Sequence, residues 1–295
     1  MMDKVLIICG ATASGKSGLG VYAAKKLNGE IISADSMQIY KGMDVGTAKI
    51  TTDECEGVTH HLIDVVDPTD TFSVAEFKEL AQKAIEDIKQ RGKLPIIVGG
   101  TGLYVNSLIY DYTFSSTNAS NEVREKYKMI LAEKGTDFLH DILKKLSPKD
   151  AERLHPNDTF RVIRALEIAE SGNENLDNGE IKMPYLALAV DFPREILYER
   201  INERVDKMFN DGLLDEVKTL LTNGVTFSHQ SMKAIGYKEF KEYFENTATI
   251  EEVSEKIKKN SRNYAKRQLT WFRKMKNLQW CSSIIEAKRK IEELL

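Results

Sequence analysis

The sequence predicts an α/β fold, a parallel sheet flanked by helices, with a small helical domain inserted into it. In the N-terminal third, short apolar runs alternate with segments of helical periodicity, the pattern of parallel strands joined by crossover helices. Further along, two polar stretches enclose several helical segments, and a strand-like run then resumes the sheet pattern. These observations indicate one sheet-based core that is interrupted by a helical insertion.

Four apolar runs are predicted to form buried strands. They are Val5–Cys9, residues 30–33, residues 94–98 and Tyr185–Val190. Short continuous apolar runs are typical of parallel strands, because helices cover both faces of such a sheet.

Two helices are predicted between these strands. The first covers residues 17–27. The second begins after Ser73, since Ser73 and Glu76 have the spacing of a capping box, and it ends at Arg91-Gly92. Its apolar positions recur every three or four residues and are Phe77, Leu80, Ala81, Ala84, Ile85 and Ile88.

The insertion is predicted to be helical. Polar runs at residues 115–120 and 171–180 mark its edges. The predicted helices are at residues 122–134, residues 137–146 and Thr159–Glu170, with a short one starting at Ser147-Pro148. We therefore predict a core of residues 1–112 and 183–295, which ends in basic helices, and an inserted domain of residues 113–182.

Composition and charge narrow the class of protein. The 295 residues are 42% hydrophobic and 29% charged, as in an ordinary globular protein. The net charge of −3 gives no overall attraction to nucleic acid, so any such affinity must come from local basic patches. The three cysteines show no metal-ligand spacing. The first apolar run is too short for a signal peptide or a membrane span, and we expect a cytoplasmic protein without membrane contact.

The most specific motif directly follows the first predicted strand. It reads Gly10-Ala11-Thr12-Ala13-Ser14-Gly15-Lys16-Ser17. This octet matches G-x-x-x-x-G-K-[ST], in which the glycines let successive N–H groups point at one anion. The next helix adds the positive end of its dipole, Lys16 adds a charge, and the Ser17 hydroxyl can hold Mg²⁺. We predict a P-loop NTPase-like sheet with a phosphate site, for which a small-molecule kinase or ATPase is the default.

Two further motifs follow predicted strands. One is Ser33-Ala34-Asp35-Ser36-Met37-Gln38-Ile39-Tyr40, and the other is Gly99-Gly100-Thr101-Gly102-Leu103-Tyr104. The carboxyl ends of parallel strands meet at one edge of a sheet, so both loops are expected beside the phosphate loop. Taken alone, an aspartate after a strand is as often a turn cap as a functional group.

Together, the three motifs resemble those of the tRNA dimethylallyltransferases, also called tRNA isopentenyltransferases. Further matching segments include His60-His61-Leu62-Ile63-Asp64, Phe72-Ser73-Val74-Ala75-Glu76-Phe77, His155-Pro156-Asn157-Asp158, Arg164-Ala165-Leu166-Glu167, Ala234-Ile235-Gly236-Tyr237-Lys238-Glu239, Ala265-Lys266-Arg267-Gln268 and Thr270-Trp271-Phe272-Arg273. The resemblance covers nearly the whole chain. It departs at Phe160, where the family usually has glutamine, and at Thr59, where proline is common.

The resemblance implies transfer of a dimethylallyl group from dimethylallyl diphosphate to N6 of an adenosine beside the tRNA anticodon, without consumption of ATP. It implies that residues 10–17 hold the diphosphate with Mg²⁺, and that Thr101 and Arg204 contact this leaving group. Because an adenine amine is a weak nucleophile, a carboxylate that takes its proton would help, and Asp35 is the candidate base. We expect the bacterial type, since the zinc-finger extension of eukaryotic members is not present in the sequence. We also expect a monomer.

Recognition of the tRNA anticodon stem-loop is expected to use base contacts and local positive charge. Residues 256–276 contain nine lysines or arginines and no acid. On a helix, one face would be packed and consist of Ile257, Tyr264, Ala265, Gln268, Leu269 and Phe272. A second, basic face would consist of Arg262, Lys266, Thr270 and Arg273, although such a face can also be merely solvated. The predicted tRNA-binding residues are Asp35, Ser36, Met37, Gln38, Thr101, Arg124, Phe160, Arg161, Val162, Ile163, Arg164, Ile235, Gly236, Tyr237, Lys238, Arg262, Lys266, Arg267 and Arg273.

Three alternatives stay open from the sequence. One is a relative that prenylates free adenine nucleotides, against which the insertion and the basic C-terminal stretch argue. Another is a metabolite kinase, which would turn over ATP. The third is an RNA-binding protein that leaves the base unmodified. His60 and His61 are interpreted as structural, because adjacent residues on an extended chain point to opposite sides.

Overall fold

The computed structural model describes residues 4–110, 121–170 and 180–294. The chain forms two compact units, one of Met1–Tyr110 with Ile181–Leu295 and the other of Asp111–Glu180. The first contains a six-stranded parallel sheet, and the described part of the second contains helices. Among the described residues no helix has the length and apolar character required to cross a membrane.

The sheet has the order β3-β2-β4-β1-β5-β6, and every neighbouring pair is parallel. Its strands are β1 (Val5–Cys9), β2 (Gly29–Ser33), β3 (His60–His61), β4 (Leu94–Gly99), β5 (Tyr185–Val190) and β6 (Leu278–Cys281). The chain first builds the side of the sheet that contains β2, β3 and β4, and then crosses to the other side with β5 and β6. The order therefore reverses at β1, and in α/β sheets such a switch point is where ligands bind.

The helices surround this sheet or form the second unit. They are α1 (Lys16–Leu27), α2 (Val74–Gln90), α3 (Gly102–Ile109), α4 (Asn121–Leu146), α5 (Pro148–Arg153), α6 (Thr159–Glu170), α7 (Arg194–Asn210), α8 (Leu213–Thr222), α9 (Phe240–Phe244), α10 (Ile250–Phe272) and α11 (Ile284–Glu292). A short 3₁₀ turn covers Ser231–Lys233. Helix α1 packs closely on the sheet, because a Cβ atom on Gly20 would lie 2.7 Å from a methyl group of Val98.

The main sequence predictions about secondary structure are confirmed. The fold is α/β with a parallel sheet, and β5 has the predicted bounds. The capping box before α2 is present: the Ser73 hydroxyl accepts the Glu76 N–H at 3.2 Å, and the Glu76 carboxylate accepts the Ser73 N–H at 2.7 Å. Helix α4 breaks at Gly135, which has φ +80°, between the two helices that the sequence predicts.

Two edge strands were not predicted. The sequence after residue 190 reads as mostly helical, yet Leu278–Cys281 forms β6 and pairs with β5. At the other edge, His60–His61 forms β3 on β2. Both strands are too short for an alternating pattern to be recognised, and pairing with a neighbour determines their conformation.

The helical unit has a core of its own. Tyr127, Leu139, Leu143, Val162 and Leu166 are all at most 1% exposed there. Glu167 of α6 is also only 1% exposed. Its charge is compensated by Arg124 and Arg164, which form ion pairs with it at 2.6 and 2.9 Å.

In the sheet unit, Glu30 of β2 is a buried carboxylate with three basic partners. Its side chain is 2% exposed and forms ion pairs with Arg91, Lys93 and His61, the last two at 2.8 Å. The hydrogen bond from Arg91 is the main reason that the pKa of Glu30 is held well below its usual value. This cluster connects β2 to β3 and to the end of α2.

We predict that Glu30→Gln lowers the free energy of unfolding by about 1–3 kcal/mol at pH 7, because charge-assisted hydrogen bonds are lost. The Glu30 pKa is depressed in the folded state, so its contribution is complete above the ordinary value of 4.5 and falls as the pH drops below it. Urea unfolding at pH 7 and pH 3 would measure the difference. Glu79→Gln, which removes only an exposed pair with Lys83, is the control and should change stability little. A pH-independent difference would contradict the assignment.

Candidate active site

The phosphate loop connects β1 to α1 and has the backbone geometry that anion binding requires. Gly10 and Gly15 adopt φ +137° and +79°, and Ala13 adopts φ 60°. Left-handed positions of this kind turn consecutive N–H groups toward a common point. Gly15 is the N-cap of α1, so the positive end of the helix dipole faces the same point. The loop is thus arranged for a phosphate group.

Two cations lie beside this loop. The Lys16 ammonium donates to the carbonyl of Ala11 at 3.2 Å, and Arg204 of α7 donates from Nη2 to the carbonyl of Thr47 at 3.0 Å. Burial, reinforced by the nearby Arg204 charge and opposed by Asp35, lowers the pKa of Lys16 to about 8. Burial likewise lowers the pKa of Arg204, while Asp35 raises it. Burial therefore disfavours the charged forms of both side chains, and a bound anion would offset that cost.

The Asp35 loop follows β2, and the Thr101 loop follows β4. Asp35 Oδ1 accepts the N–H of Met37 at 2.9 Å, so one carboxylate oxygen does cap the turn. Within the described residues Oδ2 receives no hydrogen bond. Thr101 connects the two loops, because its N–H donates to the carbonyl of Ala34 and its hydroxyl accepts the N–H of Ser36, both at 3.1 Å. The expectation that these motifs share one sheet edge is confirmed.

Gln268 of α10 connects both sides of the site with its side-chain amide. Its Oε1 accepts the N–H of Thr12 at 2.8 Å, and its Nε2 donates to the carbonyl of Gly100 at 3.0 Å. The side chain is 5% exposed, and a Cβ atom on Gly100 would lie 2.2 Å from Nε2. Sequence analysis placed Gln268 on a packed face without a role, although a polar residue at a core position is itself a signal.

Tyr264, one turn before Gln268, is a second residue that sequence analysis did not assign to the site. Burial, reinforced by the negative charge of Asp35, raises the pKa of its hydroxyl to about 12. Hydrogen bonds with Thr101 and Gln268 act in the opposite direction. The hydroxyl therefore lies in the polar network around Asp35 and stays protonated at neutral pH.

Two cavities meet at these groups. The larger, of about 270 Å³, is lined by Thr12, Asp35, Ser36, Met37, Gly46, Thr47, Ile201, Arg204, Val205, Met208, Lys233, Ala234, Ile235, Lys238, Ile257, Ser261, Tyr264 and Arg267. A narrower one of about 60 Å³ includes Lys16, Ser17, Gln38 and Gln268. Thr12, Asp35, Arg204 and Tyr264 line both. A phosphate ligand at the loop and a second ligand in the larger cavity would thus meet at Asp35.

The residues predicted around tRNA have different surroundings in the sheet unit. Ile235, Lys238 and Arg267 line the larger cavity, whereas Gly236 and Tyr237 are buried beside it. Arg262 is half-buried and donates to Asn202 at 2.5 Å. Lys266 and Arg273 line a separate depression with Arg194 and Tyr198. Lys266, Thr270 and Arg273 of the predicted basic face thus lie along one depression, whereas Arg267 lies at the larger cavity.

In the helical unit, residues 160–164 were predicted to bind tRNA, but only some of their side chains are exposed. Phe160 is 80% exposed, and Arg161 is exposed with an ion pair to Asp158. Val162 and Ile163 belong to the apolar core, so their side chains cannot make the expected contacts. Arg124 and Arg164, which share Glu167, remain about 40% exposed.

Ser17 is the residue that the sequence predicts as a metal ligand. Ser17 is exposed in the first turn of α1 and lines the narrow cavity with Lys16 and Asp35. The described residues contain no cluster of three His, Cys, Asp or Glu side chains that could hold a metal alone. A site that offers one hydroxyl and few other protein ligands suits Mg²⁺, because this ion takes most of its ligands from phosphate and water.

We predict that Lys16→Ala weakens binding of inorganic diphosphate about 10- to 100-fold at pH 7, because a charge-assisted contact is lost. A bound anion favours the ammonium form, so the advantage of the wild type is complete below the pKa of about 8 and declines above it. Calorimetric titration from pH 7 to pH 9.5 would test both effects. Lys25→Ala, an exposed lysine on the same helix, is the matched control. Equal affinities of Lys16→Ala and wild type would remove the loop from the diphosphate site.

Comparisons with known proteins agree with this geometry. A family model described as IPP transferase matches residues 38–275. The tRNA dimethylallyltransferase of Bacillus mycoides is 49% identical over 284 residues, which cover 94% of this chain and 89% of that protein. That of Geobacillus thermodenitrificans is 47% identical, with 95% and 90% covered.

Solved structures extend the similarity to the fold. The tRNA isopentenylpyrophosphate transferase of Bacillus halodurans is 45% identical with a TM-score of 0.74, covering 99% of this chain and 94% of that one. A eukaryotic dimethylallyltransferase, in a study of its action on tRNA, is 34% identical with a TM-score of 0.78, covering 94% and 74%. The chain therefore belongs to the tRNA dimethylallyltransferase family of transferases.

Proposed function

We propose that this protein transfers a dimethylallyl group from dimethylallyl diphosphate to N6 of the adenosine on the 3′ side of the anticodon, giving N6-isopentenyladenosine in tRNA. One observation carries the proposal: Asp35 lines both the narrow cavity at the phosphate loop and the larger cavity beside it. Membership of the tRNA dimethylallyltransferase family supports tRNA and a dimethylallyl donor as the two substrates.

The donor diphosphate would lie at residues 10–17. Breaking the allylic C–O bond leaves negative charge on the departing diphosphate, and prearranged N–H groups with Lys16 and Arg204 stabilise that charge. Thr101 would contact the leaving group from the neighbouring loop. Ser17 would hold Mg²⁺, which when bound supplies further positive charge to the diphosphate. The lowered pKa values of both cations support this role, because a bound anion would offset the free-energy cost of burying their positive charges.

The acceptor adenine would enter the larger cavity. Its N6 forms the new bond to the allylic carbon as the C–O bond breaks, and Asp35 takes the proton that N6 loses. Oδ2 of Asp35 supports this role, since it receives no hydrogen bond from the described residues while Oδ1 accepts the N–H of Met37. Ser36 and Gln38 can hydrogen-bond the edges of a base extruded from its stack.

The tRNA would contact the sheet unit around the larger cavity through Ile235, Lys238 and Arg267. On the helical unit, the exposed Phe160 and Arg161 with Arg124 and Arg164 are the proposed contacts. Phe160 can stack on an unpaired base, a contact that RNA-binding proteins use widely. We propose that the enzyme acts as a monomer in the cytoplasm.

The direct test is to incubate the protein with unmodified tRNA and dimethylallyl diphosphate, and then to analyse the nucleosides by mass spectrometry. We expect an adenosine whose mass has increased by one dimethylallyl group, together with release of diphosphate. Turnover of ATP without nucleoside change would indicate a kinase, and tRNA binding without any reaction would indicate a non-catalytic RNA-binding protein.

We predict that Asp35→Asn lowers the single-turnover rate of transfer by about 10²–10⁴-fold, because an amide cannot accept the proton. The amide oxygen can still accept the Met37 N–H, so the turn should persist. Affinity for tRNA should change little, because phosphate and stacking contacts elsewhere supply most of it.

The measurement requires saturating tRNA and donor, with Asp67→Asn, an exposed aspartate paired with Lys41, as control. A decrease below tenfold in a folded Asp35→Asn protein would exclude Asp35 as the base. Recovery of the rate in excess Mg²⁺ would instead assign Asp35 to metal binding.

A further inference from the structure

Glu216 of α8 lies outside the lining of both cavities, yet its carboxylate accepts four hydrogen bonds. Oε2 accepts the N–H groups of Asp44 and Val45 at 2.8 and 2.7 Å. Oε1 accepts the N–H of Gly46 at 3.0 Å and the hydroxyl of Tyr237 at 2.6 Å. Three consecutive backbone donors on one carboxylate form an anion-binding nest, which here is filled by the protein itself.

The segment held by Glu216 fits closely against its neighbours. A Cβ atom on Gly46 would lie 2.5 Å from the Tyr237 ring. Gly236, with φ +97°, approaches so closely that its own Cβ would lie 3.2 Å from the Gly46 carbonyl oxygen. On its other side, the hydroxyl of Thr47 donates to the carbonyl of Met43 at 2.7 Å. Residues 43–47, which we call the Glu216 loop, are therefore constrained from several directions.

This loop presents one carbonyl to the site. The Thr47 carbonyl accepts from Arg204 Nη2 at 3.0 Å and from Gln38 Nε2 at 3.4 Å. It is the hydrogen-bond acceptor that the described part of the chain offers to Arg204. Gly46 and Thr47 also line the larger cavity. The direction of the Arg204 guanidinium thus depends on where Glu216 holds the loop.

We propose that Glu216 is a positioning residue for the transfer reaction, which acts through the Thr47 carbonyl on Arg204. The proposal rests on the proposed function, in which Arg204 stabilises the leaving diphosphate. A carboxylate is required because every partner is a donor, and Glu216→Gln would replace one acceptor oxygen with an NH₂ group that repels these donors. Glu216→Asp would shorten the side chain by one methylene group and withdraw the carboxylate from the loop.

The test compares single-turnover transfer rates in a double-mutant cycle of Glu216→Gln with Arg204→Ala. Glu216→Gln alone should lower the rate about 10- to 100-fold, since a displacement of about 1 Å at a reacting group can cost about 100-fold. If Glu216 acts through Arg204, adding Glu216→Gln to Arg204→Ala should change the rate less than threefold, because interacting residues are not additive. Combined with Lys25→Ala, which changes an exposed lysine outside the lining of both cavities, the same substitution should retain its full effect.

Two controls separate positioning from general stability. Asp215→Asn changes the adjacent carboxylate of α8, which is 81% exposed and pairs only with Lys218 in the described residues, and should leave the rate unchanged. Tyr237→Phe removes one hydrogen bond from Glu216 and should give a smaller decrease that Arg204→Ala also masks. It replaces Glu216→Gln in the cycle if that protein fails to fold.

Other results would overturn the proposal. They are full additivity of Glu216→Gln and Arg204→Ala, or an unchanged rate in a folded Glu216→Gln protein. A decrease that matches a loss of thermal stability and is equal in every background would also assign Glu216 to folding alone. The proposed function fails separately, if the wild type itself forms no modified adenosine.

Discussion

Three parallel strands that end at one level are the constraint on which the site depends. Cys9 of β1 lies opposite Gly99 of β4, and Ser33 of β2 lies opposite Val98. Because of this register, the phosphate loop, the Asp35 loop and the Thr101 loop all leave the same edge of the sheet. Gly99 is essential to the approach, since a Cβ atom there would lie 2.2 Å from the Ala34 carbonyl oxygen. A shift of one residue would separate these loops.

Helices α7 and α10 each contribute a polar side chain to the site, and buried apolar residues of the same helix hold that side chain in position. Ile201 and Val205 bury α7 on either side of Arg204, and Ala265 and Phe272 bury α10 around Gln268. Packing therefore fixes where an arginine and an amide stand, at the cost of partly desolvating them. Lys16 interacts electrostatically with Arg204, and both interact with Asp35, so two positive charges lie near one negative charge. This excess of positive charge favours an anion with several negative charges.

The parts of this arrangement that sequence can predict are those with local signals. The residue types of the octet from Gly10 to Ser17 encode the phosphate loop, and Ser73 with Glu76 encodes a helix start. For Gln268 and Glu216 no local pattern identifies the partners, because the backbone groups that they bind lie 168 to 256 residues away in the chain. Helical periodicity also grouped Lys266, Thr270 and Arg273, which do line one depression, but it assigned no face to Arg267, which lies at the larger cavity.

The strands at the two ends of the sheet have a consequence for the behaviour of the protein at high concentration. β3 has two residues and β6 has four, so each offers few unpaired backbone groups to another chain. Beside β3, the cluster of His61, Glu30, Arg91 and Lys93 adds charge to that edge. Short, charged edges are the means by which natural sheets resist edge-to-edge aggregation. The short length that makes these strands hard to predict from the sequence therefore also limits pairing of the sheet with strands of other chains.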